Sequence, residues 1–225
     1  MCAQGPPPLV DSGSVIAKGI LEHDKEAYEE AIEYYDMVHE NDTNYIWSLY
    51  EKAYSLTAME KYEEAIPILK DGVALESTLY FDFLTMLHSV YYDLDRFDEG
   101  IAMFDKAIEQ FPYNYTLYYN RAVSKEKKGS ILSAFEDYKE TIRLNPFHSL
   151  SHYRLATICA HEGLLTQAML SYNTFLLLEP GTKRALSVLI EFDEFASGKF
   201  DAKPSGVDVR SFEEEAFENL DAIIK

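Results

Sequence analysis

Cysteine is nearly missing from this chain: Cys2 and Cys159 are the only two in 225 residues. Two thiols do not make the framework of bridges that staples small secreted domains. Cys159 falls on an apolar stripe at helical spacing, where a thiol serves as a small buried hydrophobe. Basic residues are also short, with 20 Lys and Arg against 39 Asp and Glu and a net charge of −19. Phosphate backbones would be repelled at long range, which argues against nucleic acid as a partner. No apolar run reaches the ~18 residues needed to span a membrane. The start, Met1-Cys2-Ala3-Gln4 followed by prolines, is not a charged-then-apolar leader. Cytoplasmic residence is the default expectation. Export, with Cys2-Ala3-Gln4 as the remnant of a trimmed leader, stays open as the alternative.

Catalytic signatures are lacking too. There is no glycine-rich phosphate loop and no nucleophile elbow. His148 and His152 stand four apart, the spacing two metal ligands need, but no third ligand accompanies them. Abundant carboxylates on acidic helices read as solvated faces. The expectation is a chain with no catalytic residue, cofactor or metal site.

What is present is a pattern, clearest in Phe81–Pro112. Leu84, Leu87 and Tyr91 recur at spacings of three and four, then Asp93-Leu94-Asp95 breaks the run. Phe97, Ile101, Phe104 and Ile108 resume it, and Pro112 ends it because proline cannot continue the ladder. Small residues, Gly100 and Ala107, sit between the large ones and let helix backbones approach.

This pattern recurs. Ala31, Ala65, Ala134 and Ala168 echo Gly100. Tyr28, Tyr62, Phe97, Ile131 and Leu165 precede these small residues by three. Tyr35, Leu69, Phe104, Tyr138 and Tyr172 follow them by four. Pro112, Pro146 and Pro180 are 34 residues apart. The period, two helices per period and the small/large alternation resemble the tetratricopeptide repeat. Five units read 12–45, 46–79, 81–114, 115–148 and 149–182. The first helix of each unit carries its own small residue at Gly19, Ala53, Ala122 and Ala156, with His88 as the exception. Gly129 and Gly163 provide the inter-helix turn in the last two units only.

The expected architecture is all-α: a superhelix of five helix-turn-helix repeats. A flexible segment 1–11 precedes it and a capping helix near 183–197 covers its exposed last face. A linker, 198–210, and an acidic amphipathic helix, 211–225, follow. Ser211 reads as the N-cap of that helix, with Glu213 to Glu215 in its first turn. Charge is uneven along the chain. Residues 1–114 carry 7 basic and 23 acidic side chains, 115–184 carry 9 and 6, and 185–225 carry 4 and 10. The run Lys125–Lys128 reads as a solvated stretch beside a turn.

The resemblance implies a concave side lined by first helices, where a peptide or partner helix would lie. It places Trp47, Tyr50, Tyr54, Tyr92, Tyr119, Asn120, Tyr153 and Arg154 there. Tyr50, Tyr119 and Tyr153 share one place in their units and are expected to stack as a row. Some members of the family grip a chaperone's C-terminal carboxylate with five residues. Asn120 and Arg154 match two of them, whereas Thr85, Ser89 and Leu150 do not match the others. The expected function is a non-enzymatic protein-interaction scaffold, its partner a protein or peptide, with self-association through 211–225 left open. Two other readings remain: a structural segment of a larger assembly, or an accessory domain of a multidomain enzyme.

Overall fold

The computed structural model describes residues 11–199. The lead-in before Asp11 and the expected helix at 211–225 lie outside the described residues. Among those described, every regular element is a helix, eleven in all, which bears out the all-α expectation.

The first compact unit runs to Arg96. It contains α1 (Ser12–His23), α2 (Tyr28–Tyr35), α3 (Tyr45–Ala58), α4 (Tyr62–Ala74) and α5 (Tyr80–Asp93). Asp11 starts α1, its carboxylate accepting the Ser14 N–H and so satisfying one of the free donors of the first turn. α2 is short, eight residues. It stops at Tyr35, where the Met37 and Val38 N–H groups bond back three residues to Tyr34 and Tyr35, both at 3.2 Å, and Val38 joins the core of Val15, Ile16 and Ala31. Pro67 lies inside α4, and the helix continues past it to Ala74.

The second unit begins at Phe97. It contains α6 (Phe97–Gln110), α7 (Tyr115–Lys127), α8 (Ile131–Leu144), α9 (Ser149–His161), α10 (Leu165–Leu178) and α11 (Lys183–Ala196). Asn114 caps α7, His148 caps α9 and Thr182 caps α11, each accepting a backbone N–H of the first turn. One core runs from Ala122 and Ala134 on α7 and α8 to Val188 and Phe195 on α11.

Two devices recur at the helix pairs within each unit. The first is the small/large interlock. Ala31, Ala65, Ala134 and Ala168 are wholly buried, and Tyr35, Leu69, Phe104, Tyr138 and Tyr172 are at most 2% exposed. A Cβ on Gly19 would fall 2.4 Å from the Tyr35 ring, so glycine there sets how closely α1 and α2 approach.

The second device is the turn. Glu26, Glu60, Asp95, Gly129 and Gly163 all have positive φ, between 55° and 86°. At Gly129 the N–H reaches the Glu126 carbonyl at 2.9 Å, and the Ser130 N–H reaches Lys125 at 2.8 Å. This pair of bonds closes a helix C-terminus in the left-handed manner glycine prefers. Glu60 and Lys61 repeat it with Thr57 and Leu56 at 3.0 and 2.9 Å. The first three turns therefore adopt with an acidic residue the conformation that glycine supplies later, at a cost of about 1 kcal/mol each.

His88 occupies a small-residue place in α5 and is 9% exposed. Burial lowers its pKa to about 4. An unfolded chain binds the proton nearer pH 6.5. The native state is therefore favoured above pH 6.5, and this contribution, up to about 3 kcal/mol, is lost as pH falls toward 4. Denaturant titrations between pH 7 and 4 should show that loss in the native chain and a shallower one in His88→Leu. Equal slopes would mean the imidazole is not the group responsible.

Overpacking tests the interlock. Ala65→Leu or Ala134→Leu should cost about 1–3 kcal/mol, seen as a lower Tm by calorimetry. An unchanged Tm would place these residues away from a helix crossing. The turns test a pure backbone effect, since no heavy atom lies within 4 Å of a Cβ built on Gly129. Gly129→Ala should destabilise by about 1 kcal/mol and Glu60→Gly should do the reverse, by a few tenths to 1 kcal/mol. The two changes are compared by urea midpoint; matching signs would exclude the turn mechanism.

Candidate functional site

The first-helix faces of the two units carry the candidate residues, and each unit presents its own set. In the first unit the face belongs to α3 and α5. Trp47 is 40% exposed, and its indole N–H donates to Glu51 at 2.9 Å, one turn along the same helix. Tyr50 is half-buried and meets Phe83 edge-on at 5.5 Å. Burial, with Asp82 and Glu51 nearby, raises its pKa, so it remains a hydroxyl donor at neutral pH. Tyr54 stacks on His23 at 4.7 Å, and His23 is itself held by Ser55 at 2.8 Å. On α5, Tyr92 is half-buried and Asp82, Thr85 and Ser89 are exposed. The Thr85 hydroxyl donates back to the Phe81 carbonyl at 2.7 Å.

In the second unit the face belongs to α7 and α9. Tyr119, Asn120, Tyr153 and Arg154 are all half-buried. The Tyr119 ring lies 4.6 Å from His148 and 6.0 Å from Tyr138. Tyr153 packs 5.6 Å from Phe175, and its hydroxyl donates to Glu191 of α11 at 3.3 Å. Tyr119 and Tyr153 thus do not stack on each other. Each ring fills the joint between its own helix and the next, which is where the apolar area is. The part of the row expectation that concerns these two is corrected accordingly.

Arg154 donates to Glu126 at 3.4 Å, and its guanidinium sits 5.9 Å over the Tyr153 ring. Burial works against its charge, but Glu126 and the neighbouring tyrosines outweigh that and raise its pKa. Glu126 also accepts from the Tyr138 hydroxyl at 2.6 Å. Burial raises the pKa of Tyr138, with Glu126 adding to it. Burial likewise raises Tyr119, against the pull of Arg154. Both phenols are therefore protonated donors at neutral pH.

Sequence reasoning missed Glu126 and Glu191 because it read charges as solvated. The run Lys125–Lys128 is not simply solvated. Lys125 reaches Asp137 at 2.8 Å and Lys128 pairs with Asp98. Asp137 is 5% exposed and also receives Arg121 through two nitrogens at 2.8 and 2.6 Å. The available signal was the i to i+16 spacing of Arg121 and Asp137, which recurs in Asp105 and Arg121. As for the two histidines, His148 Nδ1 accepts the Ser151 N–H at 3.3 Å, and His152 Nε2 donates to the Pro146 carbonyl at 2.9 Å. No group of three metal-ligating side chains occurs among the described residues. No helix among them is long and apolar enough to cross a membrane.

Comparison with known proteins agrees with this geometry. The family model for the tetratricopeptide repeat matches residues 85–149. The tetratricopeptide repeat and J domain-containing co-chaperone DNJ1 of Cryptococcus neoformans var. grubii is 32% identical over 73 residues, which is 32% of this chain and 14% of that protein. The human WD and tetratricopeptide repeats protein 1 is 36% identical over 80 residues, 34% of this chain and 12% of that one. The chain thus spans about one eighth of the length of these relatives. Among solved structures, MamA aligns with TM-score 0.59 at 22% identity, covering 71% of this chain and 93% of that one. YrrB, described as having an unusual peptide-binding site, aligns with TM-score 0.57 at 17% identity over 80% and 92%. These structures share the fold.

Proposed function

The chain is a tetratricopeptide-repeat protein, a scaffold built for protein–protein interaction, and we propose that its α7/α9 face binds an extended acidic peptide. The observation that supports this is the cluster of Tyr119, Asn120, Tyr153 and Arg154 on successive first helices, all partly accessible. The Tyr119 phenol with its raised pKa, the Asn120 amide and the Arg154 guanidinium supply donors, while Tyr153, whose hydroxyl already donates to Glu191, offers its ring. Rigid rings with polar tips contact partners at small entropic cost. Residues 115–184 are also the one stretch with a positive balance, 9 basic against 6 acidic.

Arg154 is held by Glu126 before any ligand arrives. An incoming carboxylate would share the guanidinium and not rescue an orphan charge, so moderate affinity with clear salt dependence is expected. The chaperone-type carboxylate grip is not favoured, because only Asn120 and Arg154 match it. On the α3/α5 face, Trp47, Tyr50, Tyr54 and Tyr92 stand in a stretch rich in carboxylates and suit a segment of opposite charge. The proposed role is non-enzymatic.

Fluorescence anisotropy with matched acidic, neutral and basic synthetic peptides tests the first face. The acidic set should bind best. The pair Tyr119→Ala and Tyr153→Ala should weaken it about tenfold or more, with helical circular dichroism retained. Unchanged affinity in a folded double variant would move the site off this face.

A further inference from the structure

The outer side of α11 is apolar, and no helix among the described residues covers it. Leu186, Leu189 and Ile190 are 64%, 50% and 58% exposed, while Ala185, Val188 and Phe195 on the other side are buried. The helices α7, α9 and α11 begin at Tyr115, Ser149 and Lys183, one 34-residue repeat apart, so their positions correspond. Leu189 and Ile190 fall at the places of Leu155 and Ala156, which are 7% and 0% exposed. On α7 the same places hold Arg121, hydrogen-bonded to Asp137 of α8, and Ala122, fully buried. This is therefore the side on which a first helix meets its own second helix. α11 is built as a first helix, with that partner lacking among the described residues.

We propose that residues 211–225 of this same chain supply the second helix, lying along Leu186, Leu189 and Ile190. The second helices have a signature. Ala134, Tyr138 and Thr141 of α8, and Ala168, Tyr172 and Phe175 of α10, are all 0% exposed. Ala216, Leu220 and Ile223 repeat their spacing of four and three. Phe212 falls at the place of Leu164, which is 3% exposed. One departure is Glu213, where α8 and α10 have Ile131 and Leu165.

The chain can make the connection. The 34-residue frame would place the small residue at Ala202, but Pro204 and Gly206 follow it at once and do not fit a helix there. The pattern is displaced onward instead. Residues 200–210 span up to about 36 Å when extended. The face to be covered is 14 residues long, or about 21 Å. A tether of this length holds the segment at an effective concentration near millimolar, which favours it over a second copy of the chain.

Hydrogen exchange by mass spectrometry on the whole chain, at several protein concentrations, decides the matter. A lone helix of this length is marginal in water, so protection within 212–224 requires docking. Amides there should exchange about tenfold or more slowly than in an unstructured peptide. Leu189→Asp with Ile190→Asp should abolish the protection. Leu220→Asp with Ile223→Asp, which leaves α11 untouched, should also abolish it and should speed exchange in α11 but not in α9 and α10. Unprotected amides in the native chain would overturn the proposal, as would protection that survives the α11 changes. Protection that disappears on dilution would assign the face to a second copy and overturn it equally.

Discussion

Close contact between a small residue on one helix and a large ring on the next is the constraint the rest of the structure depends on. A Cβ at Gly19 would overlap the Tyr35 ring, and one at Gly72 would come within 2.3 Å of Phe83. Where the small residue is alanine it is wholly buried, as at Ala53, Ala122 and Ala156. Interiors are packed to crystal-like density, so each such pair sets the distance and angle of a crossing. The side chains left on the other side of a first helix are then carried toward solvent. The candidate binding faces are consequences of that packing and not separate devices.

Charge follows the same logic. Asp137 is buried, yet it receives Arg121 and Lys125, and Arg121 also holds Asp105. An uncompensated carboxylate in that position would be costly, whereas a paired and hydrogen-bonded one is tolerated. The basic stretch of the second unit therefore spends much of its charge internally. Arg154, half-exposed and shared with Glu126, retains the most direct access to an incoming anion among the residues considered for the site. The peptide binding proposed for this face would accordingly be modest and salt-sensitive.

Much of the fold was legible because the repeat is local. Alternation of small and large residues at helical spacing marks both helices of a pair, and its recurrence every 34 residues marks the array. Turns were legible only in part. Gly129 and Gly163 announced a left-handed conformation, whereas Glu26, Glu60 and Asp95 adopt it against their own preference. There the pair of backbone bonds that closes each turn holds the residue in that conformation. The candidate faces were legible as positions but not as environments. Tyr119 could be placed on a first helix from its register. That its ring would lie against His148, with Arg154 tied to Glu126, could not be.

The sequence by itself determined the helices, their pairing and which residues are small enough to allow close crossing, because these follow from spacing within about forty residues. Only the tertiary structure decided which charges are spent internally, which rings fill joints and which apolar side chains meet no partner among the described residues. Leu189 and Leu155 are the same residue at the same place in the repeat, yet one is 50% and the other 7% exposed. Burial is a property of what lies opposite, and a sequence position carries no record of its neighbour across a helix crossing until the chain has folded.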